Sequence, residues 1–128
     1  MFSKKKKFFK KKLKEIDYAI WDLEFKIKKS RQIREGVRLD RDRAIENLQH
    51  VESALKRDVS KEDKEKMEKE RDTIKDNVSR YESQMKMIDS EIDGGEPTEY
   101  SPSGVGILER IKSLYELKEM YKEYIKSL

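Results

Sequence analysis

From Leu13 onward, apolar residues return in steps of three and four. The series runs Leu13, Ile16, Ile20, Leu23, Ile27, Ser30, Arg34, Val37, Arg41, Ala44, Leu48, Val51 and Leu55. Ten of these thirteen positions are apolar and the phase never slips. That rhythm predicts one long helix over about residues 10–57, with a seven-residue seam of the coiled-coil kind. Gly36 lies inside it and costs about 1 kcal/mol relative to alanine. Because the phase holds across Gly36, a bend is expected there and not a break.

Arg57-Asp58-Val59-Ser60 ends the run. Ser60 is placed to cap a second helix, with Asp63 standing where the acid of a capping box belongs. Helix 2, about 61–92, repeats the rhythm through Met67, Arg71, Ile74, Val78, Tyr81, Met85, Ile88 and Ile92. Acid-to-base pairs four residues apart, such as Glu62/Lys66, Glu65/Lys69 and Asp76/Arg80, lace its outer side. Asp93-Gly94-Gly95 stops it, glycine accepting the left-handed position past a helix end. Residues 93–103 form an acidic loop with both prolines, and 104–128 a C-terminal amphipathic helix that begins between Pro102 and Gly106.

A short link sets helices 1 and 2 antiparallel. With the corner near 58–60, residue i lies opposite about 117 − i, so Ile92 comes near Phe25. The N-terminal part of helix 1 then has no partner from helix 2, and helix 3 either fills that gap or folds back along the hairpin. The apolar set of helix 3 includes Ile107, Leu108, Ile111, Leu114, Tyr115, Leu117, Met120, Tyr121, Tyr124, Ile125 and Leu128. This is wider than one neighbour needs and calls for a second neighbour or a partner chain. The expected fold is therefore all-α: a long, antiparallel, coiled-coil-like hairpin, residues 13–92, plus a third C-terminal amphipathic helix.

Charge changes the picture at one end. The formal net charge is +4, but residues 1–14 hold eight lysines and no acid. Removing those eight from 31 basic residues leaves 23 against 27 acidic ones, so the remainder is mildly acidic. Residues 1–12 are thus expected to form a basic Lys/Phe arm. Its polyanion-binding candidates are Lys4, Lys5, Lys6, Lys7, Phe8, Phe9, Lys10, Lys11 and Lys12, continued by Lys14. Lysines near an anionic lipid surface contribute about 1 kcal/mol each, and Phe2, Phe8, Phe9 and Leu13 suit insertion at the interface. The same residues suit phosphate contact and base stacking on nucleic acid, or a solvated tail. Lysine without arginine argues against reading of base edges, which favours Arg. Farther along, the basic stretch 26–43 and the acidic stretch 82–99 are electrostatic complements.

Tyr18, Trp21 and Phe25 give helix 1 a second apolar face. With Leu117, Tyr121 and Tyr124 they are the candidate oligomer or partner interface, core packing being the alternative. Arg34, Arg41 and Arg71 occupy seam positions, where their stems can lie along the seam and their heads meet nearby acids. No cysteine occurs, and the single histidine, His50, has Glu46 one turn before it but no third metal ligand near in sequence. Neither a glycine-rich phosphate loop nor a nucleophile motif is present. No catalytic residue, metal or cofactor is expected, and no small-molecule substrate.

The reading that follows is a non-enzymatic helical scaffold or adaptor. It assembles through its helical faces, as a homo-oligomer or on a protein partner, and attaches to an anionic surface by its basic arm. Two alternatives stand beside it: a non-specific nucleic-acid packaging or architectural factor, and a small adaptor whose acidic 82–99 segment covers a basic groove on another protein. The composition, with no apolar run of 18 residues, fits the cytoplasm or the interior of a virion or host cell, including the periphery of a membrane.

Overall fold

A computed structural model describes residues 3–97 and 103–128, with the backbone alone of Ser3. It is all-α among the described residues: α1 (Ser3–Leu55), α2 (Lys61–Asp93) and α3 (Ile107–Ser127). Two compact units divide the chain. One comprises Met1–Ser30 with Asp89–Leu128, the other Arg31–Ile88.

The Arg31–Ile88 unit is the helical hairpin. Its seam residues Val37, Ala44, Leu48, Val51 and Leu55 on α1, and Met67, Ile74, Val78 and Tyr81 on α2, are half-buried, and Met85 is buried. Partial burial is what two helices allow, since each seam residue is covered from one side only. Arg34, Arg41 and Arg71 sit half-buried at their seam positions. Arg41 Nη2 lies 3.0 Å from Asp42, and Arg71 Nε lies 3.2 Å from Asp72. α1 closes with tighter bonds, the Lys56 and Arg57 N–H groups donating to the carbonyls of Ser53 and Ala54. α2 opens with the Asp63 N–H donating to Ser60 Oγ at 3.2 Å, the cap that Ser60 was expected to supply. Of the three outer pairs named from sequence, Lys66 and Glu62 stand 4.0 Å apart, while Arg80 donates to Asn77 instead.

The other unit sets α3 against the N-terminal part of α1, with the end of α2 beside them. Ile16, Ile20 and Ile27 of α1, Ile92 of α2, and Ile107 and Ile111 of α3 form its buried core. Burying an isoleucine contributes about 1.5–3 kcal/mol, so this cluster is the main apolar anchor of the unit. Lys26 meets Glu91 at 2.8 Å, and their numbers total 117, the register the hairpin corner implies. The basic and acidic stretches do meet at this pair. α3 runs antiparallel to α1: Tyr115 bonds Glu24, Lys118 pairs with Asp17, and Tyr121 touches Phe9. It fills the length of α1 that lies before Phe25.

α1 begins at Ser3, about seven residues before the expected start, so the basic stretch from Ser3 onward is helical. No glycine or proline interrupts residues 3–14, and Phe9 sits four residues before Leu13, on the seam phase. Docking of Phe9 on α3 carries the helix back through the lysines. The glycines past α2 do a different job. Gly94 adopts φ +77°, and a Cβ there would lie 2.7 Å from the Gly104 oxygen and the Gly106 nitrogen. The Gly95 N–H donates to the Gly104 carbonyl at 3.0 Å, so two short glycine segments cross backbone to backbone and tie the end of α2 to the start of α3.

Candidate functional site

Placing the lysines on a helix changes what they can do together. From Lys4, steps of three and four pass through Lys7, Lys11, Lys14, Tyr18, Trp21, Phe25 and Lys28, and every one of these is exposed. This is the seam's own rhythm displaced to the opposite side of α1. Its cause is the same, because residues three and four apart share a helix face. Lys7 to Lys28 covers about 30 Å at about 1.5 Å per residue. The result is one stripe with lysines at both ends and three aromatic rings in the middle.

The rings are ordered by their neighbours. Trp21 and Phe25 stack at 5.5 Å between centroids with 13° between planes, and the Lys29 ammonium lies 5.5 Å from the Phe25 ring. Tyr18 and Trp21 are 70% and 61% exposed, so α3 covers neither, and Phe25 is exposed as well, so the core alternative fails for Trp21 and Phe25. The reason is angular: α3 lies on the seam that holds Ile16 and Ile20, and the aromatics point the other way. Acids near the stripe are largely engaged. Lys118 takes Asp17 at 2.6 Å, Tyr115 Oη donates to Glu24 at 3.1 Å, and Lys12 takes Glu15 at 3.2 Å. Asp17 holds the Lys118 ammonium above its ordinary pKa, and the hydrogen bond to Glu24 does the same for the Tyr115 phenol.

The other sequence-chosen residues divide. Lys4, Lys5, Lys7, Lys10, Lys11 and Lys14 are exposed, whereas Lys6 is half-buried and already engaged. Lys12 is half-buried and also stands 5.5 Å over the Phe8 ring. Phe9 is half-buried against Tyr121 and Tyr124, 5.5 Å from each, so it and the half-buried Leu13 are not available for insertion. Phe8 remains exposed, and Phe2 lies outside the described residues. Among the interface candidates, Tyr121 is half-buried within the chain, while Leu117 and Tyr124 are exposed. The structure therefore does not bring the six together: Tyr18, Trp21 and Phe25 occupy one face, and Leu117 and Tyr124 another. His50 is exposed on α1.

The stripe itself was readable in the sequence. It was missed because the lysines were assigned to an arm and the aromatics to a helix, which hid their common phase. No helix of the described residues is long and apolar enough to cross a membrane. Compared with protein-family models, curated proteins and solved structures, the chain matches none.

Proposed function

We propose that this protein is a non-enzymatic scaffold that docks on an anionic membrane surface through the lysine–aromatic–lysine face of α1. The observation that supports the reading is the unbroken exposure of that stripe. Indole and phenol rings favour the level of lipid headgroups, where one part of the ring is apolar and another is wet. Flanking lysines reach anionic headgroups with their ammonium groups while their stems lie along the apolar boundary. A helix already formed along the surface loses little conformational entropy on binding. Nucleic acid is the weaker reading on this geometry, because stacking on unpaired bases needs separated rings, and Trp21 and Phe25 stack on each other.

Flotation with vesicles tests it. Binding is expected to phosphatidylserine-containing vesicles and to fall with salt, with little to neutral ones. Lys7→Gln, Lys11→Gln and Lys14→Gln together remove about 3 kcal/mol, roughly a hundredfold in partition. Trp21→Ala with Phe25→Ala weakens binding at unchanged salt dependence. Tight, salt-steep binding to DNA or RNA without flotation would replace this reading by the nucleic-acid one.

A further inference from the structure

A second face of the same unit carries an apolar strip that the membrane reading leaves unused. On α3, Leu117, Met120, Tyr124 and Leu128 follow one another at steps of three and four, and all are exposed. Beside them, α1 and α3 bound two open grooves. One, of about 550 Å³, is lined by Ala19, Leu23, Leu114 and Leu117, with Asp22 and Arg110 among its walls. The other, of about 440 Å³, lies between Lys4, Lys5, Phe8 and Phe9 on α1 and Tyr124 and Leu128 on α3. A continuous exposed strip of this kind marks a protein contact.

We infer that this face binds a second copy of the same chain, in a two-fold dimer that sets Asp22 of each copy against Arg110 of the other. The charges carry the argument. Asp22 and Arg110 lie in one groove with opposite sign, and among the described residues neither side chain has an ion pair or side-chain hydrogen bond. A two-fold contact repeats the same patch on both partners, so a patch holding one acid and one base beside an apolar floor is complementary to itself. The strip also explains why the apolar set of α3 exceeds what α1 needs. Ile107 and Ile111 are buried against the unit's core, and Leu117, Met120 and Tyr124 are left for the second copy. This dimer does not depend on membrane binding.

Charge reversal tests the pairing on the full chain, by molar mass from light scattering over a dilution series without lipid. The native protein is expected at twice the chain mass. Asp22→Arg alone and Arg110→Asp alone each face two like-charge contacts and are expected to fall to chain mass at concentrations where the native protein is dimeric. Mixing the two variants restores both opposite-charge contacts, as does combining the substitutions in one chain, and each is expected to return to twice the chain mass. Leu117→Asp with Met120→Asp keeps the helical circular dichroism and is expected at chain mass. A monomeric native protein, single reversals that stay dimeric, or a folded mixture that stays monomeric would each overturn the proposal.

Discussion

The two units use one long seam to different effect. Around Ile20 three helical segments converge, and six isoleucines are buried. In the Arg31–Ile88 hairpin two helices share the seam, Met85 is the buried hydrophobic residue, and the rest of the seam is half-covered. The spacing of apolar residues is equally regular in both. What differs is the number of neighbours, since enclosure requires a third element and periodicity alone supplies one covered side. The hairpin also admits Arg34, Arg41 and Arg71 into its seam, which a closed core would penalise heavily. The N-terminal unit is thus expected to be the more stable half, and the hairpin the one that opens first.

The largest test of that contrast is truncation in each. Ile20→Ala or Ile111→Ala is expected to cost about 3 kcal/mol, because each leaves a cavity in an enclosed core. Leu48→Ala, at a half-covered position, is expected to cost about half as much, since solvent already reaches the site. Denaturant melts with amide exchange decide this: protection should fall across α3 in the first two variants and across residues 37–81 in the third. Equal losses in both halves would remove the distinction. Leu48→Asp or Val78→Asp should open the hairpin more fully, by placing a charge in the seam.

The glycine crossing is the next largest. Gly94→Ala adds a Cβ at a positive φ and drives it against the backbone of Gly104 and Gly106, with no flexible side chain to yield. A cost of about 2–3 kcal/mol is expected. It should appear as lost protection in α3 with the hairpin unchanged. Gly36→Ala gives the opposite sign. Nothing lies within 4 Å of the added Cβ and the position is mid-helix, so the hairpin should gain about 0.5–1 kcal/mol in a thermal melt.

These tests also mark what could be read from the chain alone. All thirteen seam positions of α1, from Leu13 to Leu55, are buried or half-buried, because a seven-residue repeat fixes a face whatever covers it. Ser60 as a cap and the 117 register followed from local chemistry and a short link. The identity of the covering element did not follow. Tyr18, Trp21 and Phe25 have the spacing of core residues, and only the angular position of α3 decides that they face outward. The crossing of Gly94 with Gly104 and Gly106 was equally hidden, since a close approach of two backbones leaves no side-chain pattern. The helical start at Ser3 was hidden for a related reason: the contact of Phe9 with Tyr121 is made between distant parts of the chain and leaves no mark in the lysine run.

The smallest expected effect is electrostatic, and it separates the units by the sign of their pH response. In the N-terminal unit, the Glu24 carboxylate and Asp17 raise the pKa values of Tyr115 and Lys118 above their ordinary 10.0 and 10.5. A raised folded-state value means that the stabilisation is complete below the ordinary one and is lost as pH climbs through the raised one. In the hairpin the direction reverses. Arg38 grips Glu35 in a two-pronged contact, with Nε at 3.0 Å, and this hydrogen bonding lowers the Glu35 value below 4.5. That contribution is complete above 4.5 and disappears as pH falls through the lowered value. Glu24→Gln should therefore flatten the alkaline limb of the melting-temperature profile and leave the acid limb as it was. Glu35→Gln should do the reverse, and both pairs are exposed enough that added salt should shrink each difference. If both substitutions moved the same limb, the two ends of this chain would not be separable by charge, and the contrast between them would rest on packing alone.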